Sequence, residues 1–97
     1  MDAIGKINPC WVFKVFRALA LLKDVARQRQ NLKLLGNSIR GYREQLAMSQ
    51  EALAEKSDLH PVYIGKIERG EQWISLHALL RIAKALGVRV RDLVADL

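Results

Sequence analysis

Cysteine is almost missing from this chain. Cys10 stands alone, which excludes an internal disulfide and any zinc cluster built on cysteines. A single thiol suits a reducing compartment, and a cytoplasmic protein is expected. Proline occurs twice and glycine six times, and alternating strand-like stretches are few, so the chain is read as all-α. No apolar run reaches the ~20 residues that a membrane span needs, because Lys14 and Arg17 interrupt the most apolar segment. No small-residue cleavage site precedes a mature domain, so a signal peptide is not expected. A glycine-rich phosphate loop is also lacking. His60 and His77 have neither a cysteine partner nor an acidic cluster at metal-ligand spacing. His60 reads as a helix cap and His77 as a surface residue. Ser38, Ser49, Ser57 and Ser75 read as helix starts or turns. No catalytic role, metal or cofactor is therefore expected.

What remains is a short, basic, apolar-rich chain. Ninety-seven residues, 51% of them hydrophobic, allow one domain with a modest core. The net charge of +6 favours phosphate polymers or acidic surfaces. Its placement is uneven: residues 1–48 hold nine basic and three acidic side chains, and residues 49–97 hold seven of each.

The chain is organised around QEALAEKSDLHPVYIGKIER, residues 50–69. Ser49 is a good N-cap, since its hydroxyl accepts from first-turn N–H groups, and Glu51 suits the positive helix end. Ser57-Asp58 breaks the pattern and Leu59 plugs the bend. His60 caps a second helix, with Pro61 at the first position, where its missing N–H is harmless. Val62, Ile64 and Ile67 give that helix an inner side, and Gly70 ends it as a residue free to turn left-handed.

These residues carry a resemblance. SQEALAEKS, YIGKIERG and SLHALLRIAKALGV together resemble the helix-turn-helix of the phage repressor and Cro type, the XRE family, over about Leu35 to Leu93. The specific spacing is apolar Leu53, small Ala54, Leu59 in the turn, then Ile64 and Ile67. Family members usually carry glycine where this chain has Asp58, a residue that tolerates the left-handed region better than most. The phrase LHPVYIGKIERGE is similar to the small controller proteins of restriction–modification systems, though phage-type repressors and antitoxins share much of it.

The resemblance implies a five-helix repressor-like DNA-binding domain over residues 32–97, acting as a transcriptional regulator on double-stranded DNA. It implies that helix 61–69 enters the major groove, with Pro61, Val62, Gly65 and Lys66 as base readers. Lys66 can donate to guanine O6 or N7, and Val62 can meet a thymine methyl. Gly65 allows close approach. His60 lies on the same outward side, Gln50 matches the family's phosphate-binding glutamine, and Tyr63 and Arg69 suit phosphates, with core packing as the other reading of Tyr63. Arg43 and Glu68 match a family ion pair that ties the first helix to the recognition helix. Val94 and Leu97 fall where family members build part of a two-fold contact. A homodimer on an inverted repeat is the expected assembly. No small-molecule ligand is expected, since no separate ligand-binding domain is evident.

The rest of the chain follows from pattern. Leu35, Ile39, Tyr42 and Leu46 share one face of a first helix over about 32–46, with Gly36-Asn37 positioned to kink its start. Ser75 caps a further helix with Leu76, Leu79, Leu80, Ala83 and Leu86 inward and Gly87 at its end. A short helix over about 90–96 turns Leu93 into the core. Trp73 covers the core edge or contacts DNA through its indole N–H.

Residues 1–31 lie outside the usual family domain. After a loose start, Asn8-Pro9 begins an amphipathic helix over about 9–30. Trp11, Val15, Leu19, Leu22 and Ala26 form its stripe, widened by Val12 and Phe16. The polar stretch 27–33 is the expected linker, although it contains no breaker. So apolar a surface needs a partner: the domain itself, a second copy, or a membrane surface. The reading adopted is a dimerisation arm using Trp11, Val15, Phe16, Leu19 and Leu22. The alternative function is a protein- or membrane-binding module that uses this arm on a repressor-like fold.

Overall fold

A computed structural model describes residues 9–97; the expected cap Asn8 lies outside the described residues. Within them five helices occur in the order α1 (Pro9–Gln45), α2 (Gln50–Ser57), α3 (Pro61–Glu68), α4 (Leu76–Leu86) and α5 (Val90–Leu93), with no strand. The all-α reading holds.

The anticipated linker does not interrupt the chain. Residues 27–33 are helical, and arm and first domain helix form one 37-residue rod. The reason is local: nothing between Pro9 and Gly36 breaks a helix, and Arg and Gln are good helix formers. At about 1.5 Å per residue the rod is ~55 Å long, the main component of a molecule measuring 70 × 23 × 19 Å. The helix also runs without a break through Gly36-Asn37. Gly36 is a contact point instead. A Cβ there would press on the carbonyl oxygens of Ile67 and Glu68, the latter at 2.6 Å, so only glycine lets α1 cross the end of α3.

The core is a single cluster at the C-terminal part of α1. Ile39, Leu53, Ile64, Ile82 and Leu93 are fully buried at its centre. Leu59, Tyr42, Tyr63, Val90 and Val94 pack on its edge. Capping follows the residue types: Ser49 accepts from Ala52 N–H at 3.0 Å, Ser75 from Ala78 N–H at 3.1 Å, and Gly87 closes α4 with φ 71°.

Some inward assignments shift. On α4 the buried face is Ala78, Leu79, Ile82, Ala83, Ala85 and Leu86, whereas Leu76 and Leu80 are exposed. The stripe runs one step round from the expected line, because small alanines let α4 sit close. Leu46 falls past the end of α1 and is exposed. Trp73 is 62% exposed rather than sealing the core; it lines recesses beside Leu32 and Gly70.

Two glycines of α1 make opposite predictions. Gly41 has open space around its Cα, so Gly41→Ala should stabilise by about 1 kcal/mol through helix propensity. Gly36→Ala gains the same propensity but must displace two backbone carbonyls, and should destabilise by roughly 1–3 kcal/mol net. Urea unfolding of the two variants checks both signs.

Candidate nucleic-acid interface

The geometry starts at the turn between α2 and α3. Asp58 adopts φ 57°, ψ 46°, the left-handed conformation that allows the sharp exit from α2, and its N–H bonds back to Ala54 and Glu55 carbonyls. Leu59 N–H returns to Ala54 O at 2.9 Å. Ser57 is buried, and its hydroxyl is satisfied by donating to Leu53 O at 2.7 Å. His60 Nδ1 then accepts from Val62 N–H at 3.1 Å, capping α3 with Pro61 at its start. At the other end Gly70, φ 73°, stops α3.

Behind α3 lies the buried ion pair. Glu68, whose side chain is 2% exposed, accepts from Arg43 Nε at 2.7 Å and from Arg43 Nη2 at 2.9 Å. Gln50 Nε2 adds a third donor at 3.1 Å. Arg43 Nη1 donates to Met48 O at 2.7 Å. One carboxylate thus joins the end of α1, the start of α2 and the end of α3. The hydrogen bond to Glu68 raises the Arg43 guanidinium above the usual arginine value despite the cost of burial. No buried polar side-chain atom among the described residues lacks a partner.

The outward side is different in character. Val62 is 57% exposed, so it faces solvent and leaves Ile64 and Ile67 as the inner residues of α3. His60, Val62, Tyr63 and Lys66 line one shallow recess, joined by Gln72 from the following loop. The sequence reading missed Gln72; its only signal was a polar residue shortly after the helix-ending Gly70. The Tyr63 ring packs against the core edge. Its hydroxyl bridges the loop, donating to Trp73 O and accepting from Ser75 N–H, both at 3.4 Å. Pro61 is half-buried beside the recess residues.

Gly65 lies lower than anticipated. It is buried, and a Cβ there would sit 3.2 Å from Arg69 Nη1 and 3.3 Å from Gln50 Oε1. Those two side chains cover it. Arg69 is itself exposed and pairs with Glu71 at 3.1 Å. Gln50 is held by Glu68 rather than pointing free. Of the two C-terminal residues, Val94 packs half-buried on the core edge, while Leu97 is 50% exposed and lines a recess with Leu32 and Trp73. The arm residues Trp11, Val15, Phe16, Leu19 and Leu22 are all exposed. Among the described residues no three His, Cys, Asp or Glu side chains gather as metal ligands, and no helix is long and apolar enough to cross a membrane.

Two short helices set by a left-handed turn, with a braced inner side and an exposed outer one, match a known profile: that of the helix-turn-helix family HTH_3 fits residues 39–93. The chain belongs to this family. It is a DNA-binding transcriptional regulator, as the family is. Among its relatives, the control protein C.BamHI of Bacillus amyloliquefaciens is 48% identical over 65 residues, which span 65% of this chain and 80% of that one. The control protein C.SmaI of Serratia marcescens is 44% identical over 61 residues, 63% of this chain and 73% of that one. Among solved structures, the restriction–modification controller protein C.AhdI of Aeromonas hydrophila superposes with a TM-score of 0.65 at 38% identity. The match covers 66% of this chain and 97% of that one. About a third of this HTH_3 chain therefore has no counterpart in C.AhdI, and the family profile itself begins only at Ile39.

The brace generates a prediction. Glu68→Gln or Arg43→Met leaves the other charge buried without its partner, which should cost roughly 3–5 kcal/mol. The double change to Met and Gln should cost less than the sum of the single ones, because the two residues are in contact. Chemical denaturation of the four proteins of this cycle measures it.

Proposed function

We propose that two copies of this chain bind an inverted repeat in double-stranded DNA, each placing α3 in the major groove. The observation that carries this is the arrangement of α3 itself. One side is fixed from behind by Glu68, Ile64 and Ile67, and the other presents Val62 and Lys66 to solvent beside His60 and Gln72. A major groove ~12 Å wide admits a helix held in this way. Lys66 reads guanine O6 or N7, and Val62 meets a thymine methyl.

Phosphates are met from the flanks. Gln50 stands at the start of α2, where free first-turn N–H groups attract an oxyanion. Because Glu68 holds its amide nitrogen, Gln50 serves as a fixed part of that site. Arg69, exposed and paired only with an exposed glutamate, is available to exchange that partner for a phosphate. Tyr63 contributes its hydroxyl edge. Gly65 comes close to DNA only where Arg69 swings away.

The direct readers are few, so shape and the spacing of two half-sites supply the remaining discrimination. The regulator works by occupying its site, without catalysis, in the cytoplasm, and in the manner of the control proteins it is similar to. A membrane- or protein-binding module as the main role is not favoured, because it leaves the exposed side of α3 unexplained.

Binding-site selection from random duplexes should enrich an inverted repeat with half-sites about one turn, ~34 Å, apart. Lys66→Ala should lose about 1–3 kcal/mol of discrimination at one base pair of each half-site, with unfolding unchanged. Arg69→Ala should weaken all sites alike and flatten the salt dependence. Binding only at low salt, with no enriched sequence, would refute the proposal.

A further inference from the structure

We infer that the part of α1 preceding the domain is a self-association surface, pairing in parallel with the same segment of a second copy. The first observation is rotational phase. Leu35 and Ile39 mark the side of α1 that the domain core covers. At 3.6 residues per turn, Leu19 lies about 160° from Leu35 and about 200° from Ile39 around the helix. The stripe of Val12, Val15, Leu19, Leu22 and Ala26 therefore lies on the side of α1 opposite Leu35 and Ile39.

The second observation is spacing. These five residues fall three and four apart in strict alternation, the seam of a two-stranded coil. Trp11 and Phe16 flank it on opposite edges, where a parallel pair sets Trp11 beside Phe16 of the partner subunit. Lys14, Arg17, Asp24 and Arg27 fall outside the seam, and only Lys23 borders it. The next two seam positions are Arg29 and Lys33. There the helix side is taken by the domain's own loop, since Arg29 and Lys33 line a recess with Gly70, Glu71 and Trp73, so the pairing ends where the domains begin.

Area decides the strength. Trp11 and Phe16 are 61% and 66% exposed. At about 150–250 Å² per aromatic side chain they still have roughly 250 Å² to bury. The aliphatic seam residues bring roughly as much again, giving roughly 500 Å² per copy against about 800 Å² for a standard interface. The pair is thus smaller than a standard interface, and DNA reinforces it by holding two domains together. A membrane-surface helix fits less well, since it needs one polar side, and Phe13, Leu21 and Val25 are exposed away from the seam.

The parallel direction rests on the function proposed above. Leu19 is twenty residues from Ile39, or ~30 Å at 1.5 Å per residue. An antiparallel pair crossing at Leu19 would hold the two domains ~60 Å apart, too far for half-sites one turn apart. A parallel pair brings them side by side.

Sedimentation of the full chain without DNA, from low to high micromolar, tests the surface. Concentration-dependent dimerisation is expected, with Leu19→Glu plus Leu22→Glu shifting the midpoint at least tenfold upward and leaving the far-UV melting of the domain in place. A parent that stays monomeric, or a variant that associates as the parent does, overturns the inference. So does binding of the parent to phosphatidylserine vesicles without self-association. Direction is read separately: Leu22→Cys in a Cys10→Ser background should close an intermolecular disulfide under mild oxidation. Association without that disulfide refutes the parallel pairing. None of these readouts involves an operator, so a failure of the DNA-binding reading appears only in the site selection.

Discussion

The buried Glu68 carboxylate is the constraint around which the domain is built. A carboxylate removed from water must be repaid by charge and hydrogen bonds. Here it receives three N–H donors, two from Arg43 and one from Gln50. The donors come from α1 and α2, and the acceptor from α3. Any rotation of α3 about its axis would lengthen at least one of the three bonds. Hydrophobic packing by Ile64 and Ile67 holds α3 against the core, but apolar contacts resist sliding less than paired forks do. Close crossing at Gly36 adds a steric stop at the same end of α3. α3 is thereby fixed in direction, and on the proposed reading little ordering has to be done on binding.

That brace also settles the division of labour on the helix-turn-helix. Gln50 is half-buried and committed to Glu68, so it ties the start of α2 to the end of α3. Gly65 is roofed by Gln50 and Arg69. The exposed set on and beside α3 is therefore narrower than its outward-facing sequence suggests: His60, Val62 and Lys66, with Gln72 and the edge of Tyr63 added from the side. On the proposed reading, Lys66 as a donor and Val62 as an apolar contact read few bases directly. Specificity in such a case comes from two correctly spaced copies and from the cost of deforming the wrong sequence.

Much of this was legible in the residues. Ser49, His60-Pro61, Ser75 and Gly87 act through their own backbone neighbours, and local rules located all of them. Asp58 in the left-handed turn follows from its side chain's tolerance of that region. The Arg43–Glu68 pair came only through family likeness, because a contact between residues 25 apart leaves no local mark. Other features escaped, three of them for want of any local signal. The role of Gly36 depends on which helix crosses it. The buried face of α4 depends on how closely its alanines approach, which made Leu76 and Leu80 look inward when they are not. Gln72 joins the recess because the loop folds back, and nothing in its flanking residues announces that.

The continuity of α1 changes what the arm can do. Joined by a flexible linker, residues 9–30 would fold back or wander, and their apolar side chains would find the domain's own surface. Joined as one rigid rod, they cannot: a helix that begins in the core at Ile39 fixes the azimuth of every residue before it, and the phase of Leu19 is set opposite to the core. The absence of any breaker between Pro9 and Gly36 is thus the reason that the stripe stays on the side opposite the core. On the proposed pairing, self-association and DNA recognition are coupled through one helix, because the same α1 that carries the seam carries Arg43. A displacement that splays the arms pulls on the end of α1 that holds Glu68 and so on the direction of α3. Rigidity along the rod, and not proximity, links the two surfaces.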